Sequence, residues 1–219
     1  MEKFGIKRDE LTIFDKYIDT IKEEHAVDIN MNALEGFKID ISNRKYELYL
    51  GDKEEKYKDY FSKDKVNIVF NFLGSSKSRC LKDEDIEYFI KEIPKLDKEI
   101  NLYILTIPSI YEKFLTKLEK FQLRNVKLLP KTENILEAAA IIKYSDMLFS
   151  VDTGVVHIAS VYNIPIVAIY TEDKDTLVIF APKSEKSTVV IGKKEEYLQI
   201  RDKREVLDEI KKMKERIGK

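Results

Sequence analysis

Hydrophobic positions become regularly spaced after residue 65. Short apolar runs there alternate with stretches whose apolar residues recur every three or four positions, a pattern typical of buried strands followed by amphipathic helices. The runs predict strands at Val66–Phe72, Asn101–Ile107, Val126–Leu129, Met147–Val151, Ile164–Tyr170 and Val189–Ile191. The stretches between them predict helices at Asp83–Ile93, Tyr111–Phe121, Asn134–Lys143 and Val155–Tyr162, and a last amphipathic helix built on Val206, Ile210, Met213 and Ile217. This alternation predicts an α/β protein with a parallel sheet and helices on both faces.

The strand-to-helix turns of such a sheet share one edge. Right-handed crossovers bring the carboxyl ends of successive parallel strands to the same side, where open α/β sheets bind ligands. The predicted turns are Leu73–Arg79, Pro108–Ser109, Pro130–Glu133 and Asp152–Gly154. We therefore expect Ser75 and Asp152, which are far apart in sequence, to face one crevice.

The residues before Val66 follow no such pattern. They are charged, with short apolar patches at Leu11–Phe14 and Tyr46–Leu50. The charge-dense segment Asp52–Lys65 is predicted to be a surface helix or a linker. The regular fold is therefore expected to begin near Val66.

Composition and charge exclude several classes of protein. Apolar residues make up 43% of the chain and charged residues 36%, which is typical of globular rather than disordered proteins. The 39 basic and 40 acidic residues are interleaved, so nucleic acid is not an expected partner. The lone Cys80 excludes an internal disulfide and indicates a reducing compartment. No apolar run approaches the roughly 20 residues that span a bilayer, and the segment MEKFGIKRDE holds no signal core, so we expect a cytoplasmic protein.

The turn Asp152–Gly154 carries the first candidate site. Asp152 ends a strand and precedes a helix, so it suits an N-cap whose carboxylate accepts backbone N–H bonds from the first helical turn. Gly154 lets a ligand approach the backbone closely, and the positive end of the helix suits phosphate. Thr153 and His157 are four residues apart and share one helix face. A cap on an ordinary packing helix, with a half-buried histidine, is an alternative that the residues leave open.

The loop Gly74–Arg79 carries the second candidate site. Its serine hydroxyls and backbone amides can bond phosphate oxygens, and Lys77 or Arg79 can neutralise phosphate charge. Taken alone, this composition favours an ordinary solvated loop over a phosphate site.

Several other signatures are absent from the sequence. No GxGxxG follows a strand, no GxxxxGK[ST] phosphate loop is present, and no GxSxG nucleophile elbow occurs. His25 and His157 are the two histidines, and no spacing of His, Asp and Glu resembles a metal site. The sequence thus predicts neither a dinucleotide cofactor nor a bound metal.

The two candidate sites together resemble a known family. The segment from Tyr144 to Ala159 is similar to the signature of glycosyltransferase family 9, the ADP-heptose:lipopolysaccharide heptosyltransferases, with Asp, Thr, Gly, His and Ala in register. Ile164–Tyr170 resembles the strand that follows this signature. Phe72–Leu81 resembles the family's hydroxyl-rich loop, with Arg79 where a lysine is usual. Leu81 and Lys82 replace the family's Trp-Pro.

A weaker likeness follows the next strand. Glu112 lies where the family often has an acid, and Thr106–Ser109 replace the usual glycines before it.

The resemblance implies one half of a GT-B enzyme, in which two Rossmann-like domains face each other across a cleft. It implies that residues 1–65 are a remnant of the N-terminal domain with the interdomain segment, that residues 66–200 are a Rossmann-like nucleotide-sugar-binding domain, and that residues 201–219 are a C-terminal helix. The family's proposed catalytic base belongs to the N-terminal domain, so no catalytic residue is assigned here. The implied donor-binding residues are Ser75, Ser76, Arg79, Glu112, Asp152, Thr153, Gly154 and His157.

The implied function is glycosyl transfer from a nucleotide-diphospho-sugar, ADP-heptose by analogy, into lipopolysaccharide or another surface polysaccharide. The acceptor would be a saccharide or a lipid-linked saccharide at the inner face of the bacterial membrane. No metal and no other cofactor are expected, and the chain is expected to need an N-terminal-domain partner chain or a homodimer. Two alternatives stay open: a non-catalytic nucleotide-sugar-binding or assembly module, and a sugar-nucleotide epimerase of related architecture.

Overall fold

The computed structural model describes residues 24–35, 39–42 and 47–218. The apolar patch predicted at Leu11–Phe14 and the first residue of the Tyr46–Leu50 patch lie outside these ranges. The described strands are β1 (Val66–Asn71), β2 (Ile100–Leu105), β3 (Val126–Leu128), β4 (Met147–Val151), β5 (Ile166–Thr171), β6 (Ser187–Lys194) and β7 (Leu198–Gln199). The described α-helices are α1 (Ala26–Glu35), α2 (Asp83–Leu96), α3 (Tyr111–Phe121), α4 (Ile135–Lys143), α5 (Gly154–Val161), α6 (Lys174–Phe180) and α7 (Lys203–Ile217).

The chain divides into two compact units. The larger unit comprises Leu48–Glu172 and Pro182–Lys219, and the smaller one contains α1 and Asp173–Ala181. Within the smaller unit, Val27 donates its N–H to Nδ1 of His25 at 3.1 Å, and Nε2 of His25 lies 3.0 Å from the Ala181 carbonyl. Nδ1 is thus the acceptor, which assigns the ring proton to Nε2. His25 therefore has a structural role in this unit.

The larger unit contains the predicted parallel sheet. Its strand order is β3-β2-β1-β4-β5-β6-β7, and every pairing is parallel except that of β6 with β7. The chain reverses its direction of growth between β1 and β4, where Phe70 pairs with Phe149. Such a reversal leaves a crevice outside the carboxyl ends of the two strands. The α/β fold predicted from the sequence is confirmed.

Burial on both faces explains the apolar runs. Every residue of β1, β2, β4 and β5 is buried, as expected for parallel strands covered by helices on each side. One face holds an aromatic cluster in which Phe70 stacks on Phe149 at 4.6 Å, beneath α2 and α7. The buried residues of α4 and α5 lie outside that cluster, and these two helices pack on each other. The sheet is therefore a rigid platform for its turns.

Some elements differ from the predictions. The segment Asp52–Lys65 contains a short 3-10 helix at Gly51–Lys53 followed by turns, rather than a surface helix or a linker. Its Tyr57 and Phe61 are buried, and the Phe61 ring lies 4.8 Å from that of Tyr103. Because charged residues surround these two positions in the sequence, the hydrophobic pattern did not predict that they are buried.

Other differences concern the end of the chain. The strand predicted at Val189–Ile191 extends over Ser187–Lys194, and α6 and β7 were not predicted. The predicted terminal helix is α7, whose Val206, Ile210 and Met213 are buried against the rest of the larger unit. Within the described ranges, no helix has both the length and the apolar character required to cross a membrane.

Candidate functional site

The carboxyl edge of the sheet holds a cavity of about 600 Å³. Its lining comes from all four predicted turns, with Leu73, Pro108, Thr132 and Thr153 as representatives of each. Asn71, at the end of β1, donates a hydrogen bond to the Ser150 hydroxyl of β4 at 3.0 Å, which ties together the two strands beside the crevice. These turns thus share one crevice, as expected, and Ser75 lines it, whereas Asp152 does not.

The serine-rich loop after β1 forms one wall of this cavity. Ser75, Ser76 and Lys77 line it. The loop is closed by Cys80, whose Sγ accepts the Gly74 N–H at 3.3 Å and donates to the Ser76 carbonyl at 3.2 Å. A Cβ atom at Gly74 would lie 2.5 Å from Cβ of Arg79, so only glycine allows this close approach. The loop therefore has a defined shape rather than that of a solvated linker.

Lys77 turns toward the hairpin formed by β6 and β7. Its ammonium group contacts the Glu196 carboxylate and lies 4.8 Å from the centre of the Tyr197 ring. The hydrogen bond to Glu196 raises the pKa of Lys77, and the same contact lowers the pKa of Glu196. In this conformation the Lys77 charge is directed at the hairpin, although the residue still lines the cavity.

Arg79 connects the serine-rich loop with the turn after β4. Its Nη1 lies 3.2 Å from Oδ2 of Asp152. The Asp152 side chain is 5% exposed, whereas that of Arg79 is 33% exposed. A buried carboxylate is strongly unfavourable without a cation or hydrogen bonds nearby, so this ion pair holds the two turns together. Neither side chain lines the cavity directly.

The first turn of α5 opens at the cavity. The N-cap residue is Thr153, and its side chain makes no cap hydrogen bond. The prediction that Asp152 is the N-cap is wrong by one residue; the Asp152 carboxylate faces Arg79 instead. A Cβ atom at Gly154 would meet nothing within 4 Å, so the space in front of this helix end is open. A helix end of this kind is suited to bind an anion.

The first turn of α4 lies at the same cavity and is closed by its own side chains. Oδ1 of Asn134 accepts the N–H groups of Leu136 and Glu137 at 3.1 and 3.2 Å. The Glu137 carboxylate accepts the Glu133 N–H at 2.8 Å and also contacts the Lys56 ammonium. The bond from Glu133 and the contact with Lys56 lower the pKa of Glu137. Two N–H groups of this first turn are thus occupied by its own cap residue.

The remaining predicted residues lie away from the cavity lining. Glu112 is exposed in the first turn of α3, and His157 is half-buried one turn along α5. Neither of them, nor the predicted residue Gly154, is among the residues that form the cavity wall.

Two threonines of the wall, Thr106 and Thr132, were not predicted as binding residues, and both are buried. Thr106 directly follows β2, and Thr132 lies in the predicted turn after β3, so their positions could have indicated them. No metal-binding group of three or more His, Cys, Asp or Glu side chains occurs in the described part of the chain.

Comparisons with known proteins place these features in a family. The family model described as glycosyltransferase family 9 (heptosyltransferase) matches residues 7–211. A curated protein of Escherichia coli (strain K12), named "Putative lipopolysaccharide heptosyltransferase 4", is 28% identical over 152 residues. That match covers 67% of this chain and 40% of the relative, so the chain spans less than half the length of that protein.

Solved structures share the fold. A glycosyltransferase family 9 protein of Veillonella parvula superposes with a TM-score of 0.70 at 18% identity, covering 88% of this chain and 60% of its own. The E. coli ADP-heptose lipopolysaccharide heptosyltransferase II superposes with a TM-score of 0.64 at 17% identity, covering 82% of this chain and 56% of its own. E. coli heptosyltransferase WaaC with ADP superposes with a TM-score of 0.64 at 16% identity, covering 87% of this chain and 57% of its own. The family match over most of its length shows that the chain belongs to glycosyltransferase family 9.

Proposed function

We propose that the cavity binds a nucleotide-diphospho-sugar and that the chain serves glycosyl transfer in the synthesis of lipopolysaccharide or another surface polysaccharide. The observation that carries this proposal is the N-terminus of α5. The side chain of its N-cap residue, Thr153, makes no cap hydrogen bond, and the space at Gly154 is open. A serine-rich wall faces this helix end across a cavity that is large enough for a nucleotide. The WaaC structure with ADP supports ADP as the first ligand to test.

In this proposal the diphosphate lies between the two turns. Backbone N–H groups of the first turn of α5 and the hydroxyls of Ser75 and Ser76 donate hydrogen bonds to the phosphate oxygens. Arg79 supplies positive charge that stabilises the nucleoside diphosphate as it leaves the sugar, and Asp152 positions that guanidinium. Roles for His157, in orienting a phosphate or the facing loop, and for Glu112 rest on the family resemblance alone.

The acceptor and the catalytic base are assigned to no residue of this cavity. By the family resemblance, both belong to the N-terminal half of a GT-B enzyme, so the cavity accounts for donor binding. A non-catalytic nucleotide-sugar-binding module is the second candidate function, because no residue of the cavity wall is assigned as a catalytic base. Measurement of sugar transfer by the purified chain, with donor and acceptor, separates the two candidates.

Calorimetric titration of ADP into the wild type and three variants tests the site. We expect Arg79→Ala to weaken ADP binding about tenfold, which corresponds to ~1.4 kcal/mol, because it removes a positive charge from beside the two turns that are proposed to hold the diphosphate. Arg201→Ala is the matched control, since Arg201 forms an exposed pair with Glu172 and does not join two turns of the cavity. Arg79→Lys retains the charge and should recover part of the affinity.

The same variants show whether the fold survives. Arg79→Ala removes a cation from beside the buried Asp152, so we expect the free energy of unfolding to fall by about 1–3 kcal/mol, short of unfolding a typical domain. Failure of the wild type to bind ADP, or equal affinity in Arg79→Ala and the wild type, would overturn the proposed site.

A further inference from the structure

Among the described residues of the cavity wall, one carries a positive charge, and its partner lies outside the wall. That residue is Lys77, in the serine-rich loop. Its ammonium group contacts the carboxylate of Glu196, which lies in the hairpin between β6 and β7 and does not line the cavity. The positive charge of the wall is therefore occupied by a group other than a ligand.

The two cations of the serine-rich loop have partners of different kinds. Arg79 pairs with Asp152, a buried carboxylate that would be left unpaired if the contact were lost. Lys77 pairs with Glu196, and these two side chains are 56% and 73% exposed. An ion pair between exposed side chains contributes only about 0–1 kcal/mol, because water solvates both charges when they separate. Lys77 is thus the cation that can change its partner with little loss of stability.

The hairpin is fixed to the loop through the backbone. Leu198 of β7 is buried and donates its N–H to the Cys80 carbonyl at 3.0 Å. Next to Glu196, the Tyr197 ring lies 4.8 Å from the Lys77 ammonium group and attracts it through a cation–π contact. The four-carbon side chain of lysine is flexible, so this ammonium group can turn between the hairpin and the cavity while the backbone of both segments stays in place.

We propose that Lys77 exchanges partners, from Glu196 when the cavity is empty to the phosphates when a nucleotide is bound, and that Glu196 thereby lowers the affinity of the cavity for nucleotides. This inference rests on the proposed function, since it requires a diphosphate beside the serine-rich loop. A diphosphate carries more negative charge than one carboxylate, so it attracts the ammonium group more strongly. Glu196 competes for the same cation, which favours release of the nucleoside diphosphate after sugar transfer.

Three substitutions isolate this exchange. Glu196→Gln removes the competing charge and keeps the size of the side chain. Glu195→Gln is the matched control, because it removes the same charge from the neighbouring exposed position of the hairpin, and Lys77 pairs with Glu196 rather than with Glu195. Lys77→Gln removes the cation, and it is made both alone and together with Glu196→Gln.

Calorimetric titration of ADP into the wild type and these variants measures the exchange. We expect Glu196→Gln to strengthen ADP binding about two- to fivefold, as for the release of a cation from an exposed ion pair. Lys77→Gln should weaken ADP binding about three- to tenfold, because it removes a charge-assisted contact with phosphate. Glu195→Gln should bind ADP as the wild type does. In the Lys77→Gln background, Glu196→Gln should leave ADP affinity unchanged, since no cation remains for it to release.

The outcomes separate this inference from the proposed function. If Glu196→Gln or Lys77→Gln binds ADP as the wild type does, the partner exchange is overturned and the donor site stays intact. A gain from Glu196→Gln that persists without Lys77, or an equal gain in Glu195→Gln, also overturns it, because the effect would then come from the general charge of the hairpin. A wild-type protein that does not bind ADP overturns the proposed function together with this inference.

Discussion

Two helices begin at the same cavity, and their first turns are built differently. At α4, the Asn134 side chain accepts two backbone N–H groups and Glu137 accepts a third, with Lys56 beside it. At α5, the N-cap residue Thr153 makes no side-chain cap bond, and the position of Gly154 faces open space. Both helix ends carry the same partial positive charge. The difference is that side chains bond to the first turn of α4, whereas the first turn of α5 is left accessible.

This difference indicates which helix end serves the fold and which serves a ligand. A closed first turn stabilises its own helix, and any anion would have to displace the side chains already bonded there. An open first turn contributes less to stability and is available to phosphate. Proximity to a cavity alone would not have distinguished α4 from α5.

The largest effect is expected from Gly154→Ala. The added methyl group has room in the folded chain, and we expect it to obstruct a diphosphate bound at this helix end. We expect ADP affinity to fall at least tenfold, ~1.4 kcal/mol, as measured by calorimetric titration. Thermal stability should be unchanged or higher, since alanine is a better helix residue than glycine.

Gly154→Val extends this test with a larger side chain. We expect a further loss of ADP affinity that follows the size of the side chain. Wild-type affinity in both variants would show that no ligand approaches this turn, and the open end of α5 would then be a feature of the fold only.

A smaller effect is expected when the two N-cap residues are exchanged for alanine. Asn134→Ala removes two cap bonds and should lower the free energy of unfolding by about 1 kcal/mol. Thr153→Ala has no side-chain cap bond to lose and should change it by less than about 0.5 kcal/mol. Denaturant unfolding of the two variants beside the wild type measures both values.

The order of the two effects should reverse when ADP affinity is measured in place of the free energy of unfolding. Thr153 lies at the open helix end, so Thr153→Ala should weaken ADP binding more than Asn134→Ala does. Equal destabilisation by the two substitutions would mean that the Thr153 hydroxyl caps α5, and the contrast between the two helix ends would be lost.

The sequence pattern predicted the strands and helices around this cavity because burial on both faces leaves uninterrupted apolar runs. The bounds of α3 and β4 were predicted without error. The meeting of the four turns followed from the handedness of parallel crossovers, which depends on topology and not on particular side chains. The edge of the sheet that binds a ligand could therefore be predicted before any contact was known.

Side-chain partners could not be predicted in the same way. Arg79 and Asp152 were each interpreted as ligand-binding residues, and nothing in their local sequence showed that they pair with each other. The contact of Lys77 with Glu196 likewise depends on where the β6–β7 hairpin lies. The Thr106 hydroxyl is buried and has no hydrogen-bond partner among the described residues, and only the structure can show this.

The motif residue Asp146 shows the same limit. It resembles part of a functional signature, yet it lies at the amino end of β4, where its Oδ2 accepts bonds from the N–H and side-chain amide of Asn67 at 2.9 and 2.7 Å. It therefore holds β1 to β4 at the edge opposite the cavity. A family signature can thus combine residues that bind a ligand with residues that hold the sheet.

The central claim is that the first turn of α5 binds the phosphates, and NMR titration of the ¹⁵N-labelled protein with ADP tests it most directly. Backbone amide signals of residues 153–156 should shift most and in proportion to occupancy, together with those of residues 75–79, while the amides of residues 136 and 137 in the closed turn of α4 should move little. Saturating ADP that leaves the amides of residues 153–156 in place, or that shifts the first turn of α4 instead, would contradict the account.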